Sequence, residues 1–191
     1  MLRTRALVIA IVAGLVLCLF SASGVVAADD TPTPPQVGDS APDFELESLA
    51  GEHVSLEQVR EQGPVVLVVL RGFPGYQCPI CGVQVANLRK HQDKFAAAGV
   101  NVLLVYPGPS DELRARADEF LRGKALPDGF HLLLDPDYTF TDAYGLRWDA
   151  PRETAYPSAF VIDGEGSLRF AKVSKTHGGR ATAPDILDAL P

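Results

Sequence analysis

Cysteine is scarce in this chain: only Cys18, Cys78 and Cys81 occur among 191 residues. So few thiols exclude a small disulfide-built scaffold. Structural zinc with four protein ligands is excluded as well, because no second ligand pair accompanies the cysteines. Cationic side chains are also in deficit. Seventeen Lys and Arg stand against twenty-four Asp and Glu, for a net charge of −7. An acidic surface is poorly matched to nucleic acid and to anionic lipid. No internal repeat and no second domain are visible, which excludes a solenoid or a modular array.

One long apolar run is present, and it sits at the N-terminus. Arg3 and Arg5 precede Ala6 to Phe20, and small residues follow, ending in Val26-Ala27-Ala28. This is the pattern of a signal peptide over residues 1–28, cut after Ala28, and it predicts an exported protein, periplasmic or otherwise extracytoplasmic. The alternative is an uncleaved anchor, since Ala6 to Ala28 is long enough to span a bilayer. That would be the chain's only route to a membrane. A lipid anchor is disfavoured because Leu17 precedes Cys18 where a small residue is needed. Residues 29–36, acidic and then rich in Pro and Thr, read as a flexible linker. The folded domain is expected over residues 37–191, a length sufficient for one real core.

Cleavage would leave Cys78 and Cys81, two residues apart, in a compartment where disulfides persist. A loop this small restrains an unfolded chain little, so the pair reads as redox or metal chemistry and not as a staple. Its position supports redox chemistry. Val65 to Leu70 is the most apolar run of the domain and reads as a strand buried on both faces. A helix is expected from Pro79 to about Ala98, with Cys81, Val85, Leu88 and Phe95 on one face. Both sulfurs then lie at the first turn of a helix. Free amide N–H groups and the positive end of the dipole favour a thiolate there.

The remaining pattern predicts α/β architecture. A short hairpin is expected from Phe44–Leu46 and His53–Leu56, and a helical turn within Ser55–Gln62. Further strands are expected at Val100–Tyr106, Phe130–Leu134, Ser158–Asp163 and Ser167–Val173. Pro107-Gly108-Pro109 and Asp135-Pro136-Asp137 read as turns. Ser110 is the expected cap of a helix ending at Gly123, and Tyr138–Tyr144 and Ala183–Leu190 are expected helices. The βαβ order calls for parallel strands with right-handed crossovers, closed by an antiparallel pair. The result is a mixed central sheet flanked by helices, with an N-terminal β-hairpin.

A Cys-x-x-Cys between the first βα strand and its helix resembles the thioredoxin-fold motif. Three other stretches resemble the AhpC/TSA, peroxiredoxin-like (redoxin) branch of that superfamily: Val37-Gly38-Asp39-Ser40-Ala41-Pro42-Asp43-Phe44; Leu133-Leu134-Asp135-Pro136-Asp137 with Ala143-Tyr144-Gly145; and Phe160-Val161-Ile162-Asp163 with Gly164 and Gly166. The resemblance implies a thioredoxin-like fold and a thiol oxidoreductase with antioxidant activity that needs no bound cofactor. Peroxiredoxins carry a Thr or Ser three residues before the reactive cysteine, a Pro seven before it, and an Arg three before the Phe of the late strand. Here Gly75, Arg71 and Pro157 occupy those positions.

Pro157 instead matches the thioredoxin cis-proline, so a cis Tyr156–Pro157 bond beside the cysteines is the expectation. The alternative is an ordinary trans proline opening an edge strand. On this reading Cys78 is the nucleophile and Cys81 the resolving thiol. Disulfide exchange with a protein or small thiol is placed ahead of peroxide reduction, because the peroxidase residues are replaced. Either route needs a separate electron donor or acceptor.

Arg71 is expected either to lower a thiol pKa or to pair with a surface acid. Tyr76, Gln77 and Tyr156 are expected to shape a substrate groove, with Trp148 lining it or merely packing. His177 is expected to be a solvated loop histidine, the alternative being that it reaches the face of the cysteines, and Lys175 and Arg180 are expected to be solvated charges more than substrate contacts. A copper-binding, chaperone-like role is the rival class. The copper-delivering Sco-like branch has three residues between its cysteines and a histidine where Ala155 stands here, so no metal site is expected.

Overall fold

The computed structural model describes residues 32–191. The expected signal segment and the first part of the linker lie outside the described residues. Among those described, no helix is long and apolar enough to cross a membrane.

The chain folds around β3 (Val65–Val69), five consecutive residues with no exposed surface. Alternation of side chains across a strand divides them between two cores. Val66 and Val68 face a core with Cys78, Cys81, Val85, Leu88 and Phe95. Val65, Leu67 and Val69 face a second core with Leu56, Val59, Phe140 and Tyr144. An uninterrupted Val/Leu run is what a strand covered on both faces needs.

A five-stranded sheet runs β5-β4-β3-β6-β7, with β4 at Asn101–Gly108, β5 at Phe130–Pro136, β6 at Ser158–Ile162 and β7 at Leu168–Val173. β3, β4 and β5 are parallel, whereas β6 and β7 are antiparallel to their neighbours. A separate antiparallel hairpin, β1 (Glu45–Glu47) with β2 (His53–Ser55), precedes the sheet. It docks on the β5 edge, where Leu49 N–H donates to the Leu132 carbonyl at 2.7 Å. The first core is covered by α2 (Pro79–Lys90), α3 (Gln92–Ala97), α4 (Leu113–Leu121) and α6 (Ala183–Leu187). The second is covered by α1 (Leu56–Arg60) and α5 (Thr139–Ala143).

Five local expectations are corrected. The helix expected from Pro79 to Ala98 breaks at His91, whose N–H turns back to the Leu88 carbonyl and whose Nδ1 donates to Asn87 O at 2.9 Å. Pro107 and Gly108 are not a turn but continue β4, and Asp135 and Pro136 continue β5, paired with them. Pro107 lies beyond the last β3–β4 pair, Val69 with Val105, and Pro136 lies on an edge strand. Neither proline therefore interrupts the interior of the sheet. Ser110 caps no helix: α4 begins at Leu113, and the Ser110 N–H is taken by Asp137. All peptide bonds among the described residues are trans, Tyr156–Pro157 included. Ala155 bridges Arg147, Tyr156 N–H donates to Leu146 O, and Pro157 O accepts from Ser174. The chain thus enters β6 already extended, and the strand it opens is interior.

Candidate active site

β3 ends at Val69, and residues 70–78 carry the chain to α2. Leu70 N–H and Phe73 N–H still bond to Val105 O and Pro107 O of β4, which holds the loop against the sheet end. Gly72 makes this approach possible. Its φ is +69°, and a Cβ there would collide with the Pro107 carbonyl. Gln77 fixes the far end of the loop. Its Nε2 donates to Arg116 O at 2.8 Å, and its Oε1 accepts from the Tyr106 hydroxyl at 2.8 Å. Gln77 is thus chiefly an anchor of the loop, although it also borders the cleft described below.

Cys78 occupies the N-cap of α2 and Pro79 the first turn. The Cys78 sulfur accepts from the Cys81 N–H at 3.3 Å, doing what a Ser or Asp oxygen usually does at this position. Both thiols are free and buried, Cys78 at 5% and Cys81 at 0% exposure. Their acidities diverge. The hydrogen bond from the Cys81 thiol outweighs burial and, with the Cys81 amide and the charges of Arg180 and Arg71, lowers the Cys78 thiol to about 5. Burial, and then the hydrogen bond to Cys78, push the Cys81 thiol well up. Cys78 is therefore the thiolate at neutral pH and Cys81 the protonated thiol beside it. Cys78 borders a cleft of about 380 Å³, walled by Val83, Ala86, Phe120 and Leu121.

Arg71 is placed against an acid and also contributes charge toward Cys78. Its side chain is 3% exposed; Nε donates to Glu153 Oε2 at 2.5 Å and Nη2 to Arg152 O at 2.6 Å. Burial opposes the guanidinium charge, but the bonds to Glu153 and Tyr76 prevail and raise the Arg71 pKa. Burial likewise opposes the charge on Glu153, and the hydrogen bonds from Arg71 and His177 hold its carboxyl below the usual range. Arg71 thus belongs mainly to a buried ion pair and only secondarily to Cys78.

His177 is not merely solvated: its Nε2 donates to Glu153 Oε1 at 2.9 Å. Trp148 stacks on Tyr156 with centroids 4.9 Å apart, and Lys175 Nζ lies over the Tyr156 ring, 4.1 Å from its centroid. Tyr76 is 44% exposed, with the Arg71 cation 5.0 Å from its ring centroid. Pro157 is buried one residue before Ser158, which pairs with Val69. It therefore lies at the sheet end from which the cysteine loop departs.

Sequence reasoning missed Arg180. It is expected to be solvated, yet Nη1 lies 3.3 Å from Cys81 Sγ and Nη2 3.7 Å from Cys78 Sγ. Gln84 Oε1 and the His177 carbonyl accept from the same guanidinium at 2.9 and 3.0 Å. The signal that could have found it is the lost arginine at Pro157, which leaves the site in need of another cation. Among the described residues no group of three or more His, Cys, Asp or Glu side chains is placed to hold a metal ion.

Strand, loop, Cys-x-x-Cys and helix on a five-stranded mixed sheet define a dithiol protein of the thioredoxin fold. A family model described as the AhpC/TSA family matches residues 37–171, and the chain belongs to that family. It is similar to Peroxiredoxin Bcp of Escherichia coli (strain K12), 30% identical over 141 residues, 71% of this chain and 83% of the relative. It is also similar to Thiol-disulfide oxidoreductase ResA of Halalkalibacterium halodurans, 25% identical over 147 residues, 77% of this chain and 71% of the relative. Peroxidoxin BcpB from Mycobacterium tuberculosis shares the fold, with a TM-score of 0.62 at 23% identity over 80% of this chain and 94% of that one. The chain is thus a thiol-based redox enzyme of the AhpC/TSA family.

Proposed function

We propose that this protein is a thiol peroxidase in which Cys78 attacks a peroxide and Cys81 resolves the product. The observation that carries the reading is the pairing of an acidified Cys78 at the α2 N-cap with a second, buried free thiol one turn on. In the first step the Cys78 thiolate attacks one peroxide oxygen and the O–O bond breaks. The leaving oxygen takes a proton, and Cys78 becomes a sulfenic acid. Cys81 then attacks the Cys78 sulfur, water leaves, and a Cys78–Cys81 disulfide forms. A separate dithiol reductant supplies two electrons to restore the pair.

This ordering reverses the expectation from sequence. The replacements at Gly75 and Pro157 weigh against peroxide chemistry, but guanidinium charge stands near the sulfurs from elsewhere, and the relatives at 30% identity are peroxiredoxins. Disulfide exchange is the second reading. The Cys-x-x-Cys spacing and the 25%-identical thiol-disulfide oxidoreductase favour it.

The test uses Cys81→Ser treated with hydrogen peroxide in the presence of dimedone. A dimedone adduct on Cys78 is expected. No adduct, together with a trapped mixed disulfide when a disulfide substrate is added, would assign the site to exchange. The leader-like residues 1–28 support export, which cell fractionation checks; recovery only in the cytosol would refute it.

A further inference from the structure

We propose that Arg180 is a catalytic residue of this site: its guanidinium straddles both sulfurs, one nitrogen to each, and steadies charge on Cys78 and then on Cys81. The second half of this role rests on the peroxidase reading above.

Among the described residues two arginines, Arg71 and Arg180, bear on the Cys78 thiol, and their partners separate them. Arg71 is already matched by the Glu153 carboxylate at 2.5 Å. Among the described residues Arg180 contacts no carboxylate; besides the sulfurs its acceptors are the neutral Gln84 amide oxygen and a backbone carbonyl. Its positive charge is therefore available to the thiolates. The position is also built. Gln84 is 7% exposed on α2, and its Nε2 donates to Ala181 O at 3.4 Å, so that one side chain grips both the guanidinium and the segment that carries it. Asn87, one turn on, accepts from Ala183 N–H at 2.8 Å. Gly178 and Gly179, the latter at φ +70°, bring the chain back over α2. A planar fork held this way presents two donors at fixed spacing, which a lysine cannot do.

The chemistry gives each contact a use. Nη2 favours the attacking form of Cys78. When the sulfenic acid has formed, Cys81, itself without exposed surface, must lose its proton to attack. Nη1, 3.3 Å away, stabilises the thiolate that develops. The S–O bond breaks, hydroxide leaves as water with the Cys81 proton, and the S–S bond forms. The ionisable groups facing Cys78 are Arg180 from the segment after β7, Arg71 from the end of β3, Cys81 within α2 and, more weakly, Tyr106 of β4.

The test uses Arg180→Gln and Arg180→Lys in the full chain, with two readouts. The first is the pH dependence of Cys78 alkylation by iodoacetamide, which involves no peroxide. Arg180→Gln is expected to move the midpoint up by about one pH unit, about tenfold less thiolate below the midpoint, and Arg180→Lys to restore part of it. The second readout is sulfinic acid at Cys78 after hydrogen peroxide, measured by mass. Slower resolution leaves the sulfenic acid exposed to further oxidation, so Arg180→Gln should accumulate more of it. A midpoint equal to wild type in both variants overturns the assignment. A shifted midpoint with no added sulfinic acid overturns the role toward Cys81. If wild-type Cys78 forms no sulfenic acid at all, the peroxidase reading fails while the alkylation arm still decides the role toward Cys78.

Discussion

Replacing Glu153 with alanine would leave the Arg71 guanidinium buried without its counter-charge. The carboxylate is bonded on both oxygens, to Arg71 Nε at 2.5 Å and to His177 Nε2 at 2.9 Å. The two members of the main pair are 3% and 12% exposed, so water can replace little of what is lost. Breaking a buried ion pair by removing one partner costs about 3–5 kcal/mol. Arg71 keeps its bond to Arg152 O and its position over Tyr76, which argues for the lower end, about 3 kcal/mol. In a domain of this size that is a fall in Tm of roughly 6–12 °C. The His177 bond adds little, because that side chain is 46% exposed and exposed pairs are worth about 0–1 kcal/mol.

Glu153→Gln keeps an acceptor oxygen and should cost about half as much. Arg71→Met with Glu153→Leu, which removes both charges, should lose less than Glu153→Ala alone. The assay is urea unfolding followed by circular dichroism. Because the Glu153 carboxyl is held below its ordinary range, its contribution is present above the unfolded carboxylate pKa. It is lost as pH falls through the folded value. The gap between wild type and Glu153→Ala should therefore close below about pH 4. A loss under about 1 kcal/mol at pH 7, or a gap that widens in acid, would refute the buried-pair reasoning.

Three further outcomes are expected. Gly72→Ala should lose at least about 1 kcal/mol and slow turnover, because a positive φ and the Pro107 carbonyl both oppose the new Cβ; a melt and a rate at wild-type values would contradict this. Leu88→Ala, at a fully buried position of α2, should cost about 2–5 kcal/mol in denaturant unfolding. Alkylation of wild-type Cys78 should rise as pH passes through about 5 and then level off, with Cys81 unreactive beside it. A midpoint near that of an ordinary thiol, about 8.5, would contradict the acidified N-cap.

Much of the scaffold was legible because periodicity reports burial directly. Val65–Leu70 reads as a two-faced strand, and Val65–Val69 is one. Cys81, Val85 and Leu88 read as one helix face and lie together in one core. The extended strand ends were not legible. Pro107 and Pro136 read as turn residues because composition does not show that β3 has already stopped or that β5 is an edge. The helix break at His91 depends on an imidazole bonding to its own Asn87 carbonyl, a choice the pattern does not expose.

Within the site, Cys78 and Cys81 were found from their spacing and their place before a helix. Their divergent acidity was not, since it comes from burial and from a hydrogen bond between the two sulfurs. Gln77, adjacent to Cys78, reads as a groove residue and does border the cleft; its anchoring of the loop is not legible, because its partners Tyr106 and Arg116 lie far along the chain. Arg180 stands ninety-nine positions after Cys81. No local signal marks it, and only the return of the chain over α2 brings it to the thiols.

A peroxide-reactive Cys78 thiolate resolved by Cys81 should consume hydrogen peroxide through Cys78 alone. Rapid mixing of the reduced full chain with hydrogen peroxide, beside a Cys78→Ser control, tests it most directly. Thiol loss far faster than for a free cysteine is expected, absent in the control and ending in a Cys78–Cys81 disulfide. Loss at the rate of a free thiol, or equal loss in the control, would contradict it.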